Sequence, residues 1–189
     1  MRNSAPFLLL PLLTVLACAP AAASPAAPML MMADMPIGAG AVGDDRYAGA
    51  AARTVRAIIE YTRWPTRSDP VVICVAGRAL YAGQLDAIRL SDGRRTDRRD
   101  VAADPGALAG CHVLYLGQLP IARQRQLTAA VRGRQVLTIA EADPTNASEA
   151  MIAFTYKPTA LSFRLNIDAV SRSGLKVDPR VLRVAQGGQ

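Results

Sequence analysis

The sequence predicts an α/β fold: a single compact domain, with a mostly parallel sheet flanked by helices and an antiparallel pair at one edge. Three observations predict it. The runs "PVVICVAG", "CHVLYLG" and "RQVLTIAE" are short, nearly continuously apolar and rich in β-branched residues, as strands buried on both faces are. Helix-compatible stretches, "RALYAGQLDAIRL" and "PIARQRQLTAAVRG", lie between them, and such alternation implies parallel pairing through right-handed crossovers. Later, "AMIAFTY" and "ALSFRLN" are separated only by "KPT", which suggests an antiparallel pair.

Taken in chain order, residues 1–23 read as a secretory signal peptide. Arg2 precedes an apolar run from Phe7 to Ala17, and small residues follow. That run is shorter than the about 20 apolar residues a bilayer span needs. "AAAS" offers a cut after Ala23. "VLAC" resembles a lipobox that would make Cys18 a lipidated first residue, but Leu16 is an unusual neighbour for that role, so simple cleavage is preferred. Residues 24–43, "SPAAPMLMMADMPIGAGAVG", carry almost no charge and no period, and read as a flexible linker. The G-x-G-x-x-G spelled by Gly38, Gly40 and Gly43 is accidental, because Pro36 breaks the strand that a dinucleotide turn must follow.

The folded domain is expected over 44–186, with a disordered tail at 187–189. The first helix is predicted over 45–62: Ala51, Val55, Ile58, Ile59 and Thr62 share one stripe, and Arg53, Arg56, Glu60 and Arg63 another. "WP" stops it, since a residue before proline leaves the α region. The three apolar runs follow as strands. "DGRRTDRRD" reads as a solvated turn and a charged edge strand, whose charges discourage edge pairing. A short helix after "ALSFRLN" takes Asn166 as its N-cap and Gly174 as its stop. A last helix starts at Pro179 with Asp178 as its cap.

Chemistry is scarce. The one histidine, His112, sits beside Cys111 at the start of a strand, so the two side chains point to opposite faces and cannot form a thiolate–imidazolium pair. No second histidine exists to serve as ligand or base. Acidic residues at 86, 92, 97, 100, 104, 141 and 143 are scattered, each in or beside a turn. No nucleophile–base pair, metal set or phosphate loop can be assembled, so neither an enzyme nor a cofactor is expected. If the strands that carry them are neighbours, Cys74 and Cys111 come within bridging distance, and an exported chain favours the disulfide over two buried thiols. Net charge is +7 and stays near +6 once Arg2 is removed. The simplest meaning is a solvated basic surface, and the sharper one is attraction to an acidic partner or to anionic lipid.

Together, "VRAIIEYTRWP", "VVICVAG", "CHVLYLG", "RQVLTIAE", "AMIAF" and "SFRLNIDAVSRSGLKVDPRVLRVAQ" resemble the YfiR family in order and spacing, over about residues 47–186. The resemblance implies a periplasmic α/β regulator, usually dimeric. It would repress an inner-membrane diguanylate cyclase by binding its periplasmic sensor domain, lowering cyclic di-GMP and biofilm formation. A peptidoglycan-anchored outer-membrane lipoprotein would be a second partner. Cys74 and Cys111 match the family's strand cysteines. The second, shorter disulfide of some members has no counterpart, because "EADPTNASEAMIAF" lacks cysteine. Trp64, Arg172, Lys176 and Val177 are the candidates for contact with a partner or ligand, since aromatic and arginine anchors dominate interfaces. A core role for Trp64 and a solvated helix end for Arg172 and Lys176 are the plain alternatives. The competing reading is a periplasmic small-molecule sensor, or an adaptor for another membrane signalling protein.

Overall fold

A computed structural model describes residues 30–36 and 44–184. The signal peptide, Cys18, the remainder of the linker and the tail lie outside the described residues. In chain order the elements are β1 (Leu30–Pro36), α1 (Asp44–Glu60), β2 (Thr62–Arg63), β3 (Val71–Ala76), β4 (Thr96–Val101), β5 (Val113–Leu116), α2 (Ile121–Ala130), β6 (Leu137–Ala140), β7 (Ile152–Tyr156), β8 (Ala160–Asn166), α3 (Ile167–Ser171), β9 (Lys176–Val177) and α4 (Val181–Val184). One sheet runs β1-β8-β7-β6-β5-β3-β4, and β2 and β9 form a small separate one. Pairing is parallel from β4 through β7. It turns antiparallel at β7–β8 and β8–β1. This is the expected α/β architecture.

The continuous apolar runs hide a period of two. In β3, Val71, Ile73 and Val75 join the core beneath α1, whereas Val72, Cys74 and Ala76 join the core beneath α2. β5 divides the same way, Val113 and Tyr115 against Leu114 and Leu116. The α1 core is the larger and holds Phe154, Phe163 and the helix stripe of Ala51, Val55, Ile58 and Ile59. Val55, Ile58 and Ile59, all fully buried, each contribute about 1.5–3 kcal/mol. Past the last turn of α1, Thr62 Oγ1 still donates to the Ile58 carbonyl at 2.6 Å. The thinner α2 core leaves no room at its edge. A Cβ on Gly117 would stand 2.6 Å from the backbone of Arg78.

The caps follow the sequence. Asn166 accepts from the Ala169 N–H at 3.0 Å. Gly174 adopts a φ of 78°, which glycine tolerates where other residues rarely do. Asp178 accepts from the Arg180 N–H at 2.9 Å.

Two expectations fail. Residues 78–90 hold only the 3₁₀ turn Ala82–Gln84 and no helix. Their backbone donors are taken elsewhere: Leu80 and Tyr81 bond Glu141, Ala87 bonds Thr96, and Leu90 bonds Arg94. Residues 30–36, read as linker, form β1 instead. Backbone pairing to the outer edge of β8 needs no hydrophobic period, which is why none marks it.

Cys74 and Cys111 are joined in a disulfide with a Cα–Cα distance of 5.7 Å and a sequence separation of 37. It ties β3 to the segment entering β5, inside the thinner core. A Cys74→Ser/Cys111→Ser variant should lose about 4 kcal/mol of unfolding free energy, as the chain-entropy relation gives for a loop of this length, measured by urea denaturation.

Candidate functional site

Trp64 ends the run that follows α1. It is half-buried, packs against the α1 core and donates from Nε1 to the Gln135 carbonyl at 3.0 Å. Gln135 is pinned in turn, its N–H bonding the Ser173 carbonyl at 3.2 Å. The pairing of β2 with β9 sets Thr62 opposite Val177 and Arg63 opposite Lys176. Trp64, Lys176 and Val177 therefore gather around one two-stranded ribbon. Val177 points inward and is buried, while Lys176 is exposed. Arg172 stands apart. Its guanidinium bonds the Asp168 carboxylate, and it lines a different cleft with Arg132, Glu149, Thr138 and Met151.

An open cleft surrounds Trp64, walled by Pro65, Arg63, Arg67, Arg94, Glu60 and Asp92. Its charges are partly committed. Arg94 Nε meets Asp92 at 2.6 Å, and Arg67 donates to the Asp92 carbonyl at 3.0 Å. Glu60 accepts from Arg56 and from the Ser91 N–H. Slight desolvation raises the Asp92 carboxyl, but hydrogen bonds from Arg94 and the charges of Arg94 and Arg67 outweigh it and hold it below the ordinary carboxylate value. An aromatic wall beside three guanidiniums suits a planar or anionic group. Its two carboxylates, Glu60 and Asp92, are both engaged by arginines, and among the described residues no group of three metal-ligating side chains occurs.

A second polar centre went unread in the sequence. Glu141 lies at the end of β6 and is 1% exposed. Its carboxylate accepts from the N–H groups of Leu80 and Tyr81 at 2.8 and 2.7 Å, and from the Tyr115 hydroxyl at 3.1 Å. Burial pushes the Tyr115 and Tyr156 hydroxyls well above the ordinary tyrosine value, so both stay neutral. Above them Tyr47, Tyr81 and Tyr156 pack together, with ring centroids 4.4–5.3 Å apart. Glu141 was expected to serve a turn; it clamps a loop 60 residues away in the chain instead. Asp97 and Asp100 likewise lie within β4, each paired with an arginine two residues away.

His112 completes the start of β3. Its backbone N–H donates to the Val72 carbonyl, and its ring Nδ1 accepts the Val72 N–H, both at 3.0 Å. That bond requires a neutral ring. Desolvation, then the charges of Arg94 and Arg99, lower its pKa below the ordinary imidazole value of 6.5. The unfolded chain therefore binds the proton more readily than the folded one. The stability that this ring supplies is complete above pH about 6.5 and is lost as pH falls through the lowered folded value. Thermal melts between pH 7.5 and pH 5 should show that loss, and His112→Asn should remove this component of it.

Two comparisons with known proteins bear on this geometry. The family model described as YfiR/HmsC-like matches residues 49–186. A crystal structure of an aromatic-amino-acid aminotransferase from Burkholderia pseudomallei, covalently bound to pyridoxal phosphate, aligns at 11% identity and a TM-score of 0.40. The alignment covers 84% of this chain and 47% of that one, so the chain spans about half the enzyme's length, and the likeness is too slight to carry an argument. No described helix is long and apolar enough to cross a membrane. The chain belongs to the YfiR/HmsC-like family of regulatory, non-catalytic periplasmic proteins of cyclic di-GMP signalling.

Proposed function

We propose that this protein represses an inner-membrane diguanylate cyclase by binding the cyclase's periplasmic sensor domain. The observation that carries the reading is the family match, which spans nearly the whole described domain. A repressor on the far side of a membrane acts only through differential affinity for two states of its target. Here it would favour the state that holds the cytoplasmic catalytic domains apart. The domain never meets the nucleotide. Trp64 and Lys176 on the β2–β9 ribbon supply the aromatic and cationic anchors that such contacts use. A homodimer, and a peptidoglycan-anchored lipoprotein that withdraws the repressor, complete the proposal.

The cleft beside Trp64 favours a second reading. Arg63, Arg67 and Arg94 around an indole would bind an anionic or aromatic metabolite that tunes the repression. Inorganic phosphate and benzoate are the simplest probes. Binding would raise the melting temperature of the purified protein without any partner, and Trp64→Ala would remove the benzoate shift. No shift at millimolar probe would dismiss this reading.

For the first reading the measurement is intracellular cyclic di-GMP. Deletion of the gene should raise it, and wild type should restore it. Lys176→Glu, at normal abundance, should restore it only in part. An unchanged level on deletion, with the cyclase expressed, would overturn the repressor assignment.

A further inference from the structure

We propose that the outer face of α2, with the turn that closes it, is a docking surface for an anionic lipid bilayer. Between Asp104 and Glu141 the chain carries no acidic residue, yet it holds Arg123, Arg125, Arg132 and Arg134. α2 turns Gln124, Leu127 and Thr128 inward, and all four arginines are exposed.

Their partners leave the charge standing. Arg123 donates to the Gln126 side-chain oxygen at 2.7 Å, Arg125 to the Ala147 carbonyl at 2.6 Å and Arg134 to the Ala130 carbonyl at 3.5 Å. Arg132 alone meets a carboxylate, that of Glu149 at 3.1 Å. By contrast Arg56, Arg94, Arg98, Arg99, Arg172 and Arg180 each face an acidic side chain. Three of the four arginines on this face therefore carry a charge that no carboxylate meets.

The shape of the patch selects the occupant. The arginines are strung along roughly 15 Å of helix and its closing turn, not gathered around one point as a small anion would require. A protein partner would demand an apolar centre to the interface. The one large exposed apolar side chain on this face is Ile121, 42% exposed at the start of α2. Basic surfaces bind anionic leaflets through charge alone, with each arginine near the surface contributing independently. Ile121 at the margin would enter the headgroup layer. Arginine keeps its charge at every physiological pH, so the attraction varies with salt and not with acidity.

The test is co-sedimentation of the purified protein, beginning after Ala23 and with its disulfide intact, with lipid vesicles. Binding should appear with phosphatidylcholine vesicles that contain phosphatidylglycerol, be absent with phosphatidylcholine alone, and fall steeply with salt. Arg123→Gln/Arg125→Gln/Arg134→Gln should weaken partitioning on the order of 100-fold, the product of three surface charges. The charge-matched control Arg56→Gln/Arg95→Gln/Arg180→Gln should stay within about 5-fold of wild type. Lysine at positions 123, 125 and 134 should keep the binding. Equal losses in the two glutamine triples would overturn the proposal in favour of diffuse net charge. So would failure to bind the anionic vesicles, including the case in which soluble poly-glutamate is bound instead. Melting curves matched to wild type establish that each variant is folded before it is compared.

Discussion

The structure depends on one constraint: β3 is buried along its whole length on both faces. A strand so placed must have a partner on each side and a layer above and below. β4 and β5 supply the first, and α1 and α2 the second. The two layers are unequal. Beneath α1 the sheet presents large side chains. Beneath α2 it presents Val72, Leu114 and Leu116 together with the smaller Cys74 and Ala76, and at Gly117 the backbone of residues 78 and 79 leaves room for no side chain. The disulfide belongs to that thin side. There a covalent link supplies cohesion that a shallow apolar layer cannot. His112 then closes the open end of β3 with a ring acceptor in place of a further strand residue.

What the sequence made legible was whatever depended on near neighbours. The α1 stripe, the β-branched runs, the β7–β8 hairpin and the Asn166 cap are all written within a few residues of where they act. The misreadings share the opposite property. Residues 78–90 have good helical spacing, but the Glu141 carboxylate that captures their N–H groups arrives much later in the chain. β2 and β9 are each two residues long, too short for any periodicity to announce them. Trp64 was legible as an anchor or a core cap. Its bond to the Gln135 carbonyl was not, because a main-chain acceptor leaves no mark in the sequence. The candidate residues were thus found singly, and their grouping was missed.

The same geometry shows where the fold spends its buried polar groups. Its buried carboxylates are spent on main-chain donors: Glu141 on the loop after β3, and Asp143 on Ala147 and Ser148. The Tyr115 and Tyr156 hydroxyls are held neutral by burial. A carboxylate saturated by amides is a poor base, and a desolvated phenol a poor nucleophile. These polar groups are committed to shape.

The two edge pairings have a consequence for how the molecule comes into being. β1 lies against β8 and β2 against β9, so early segments meet partners from near the other end of the chain. A polypeptide made from its N-terminus cannot form either pairing until almost all of it has been made. Such non-local closure is slow. Until β8 and β9 are present, β1 and β2 have no strand to pair with.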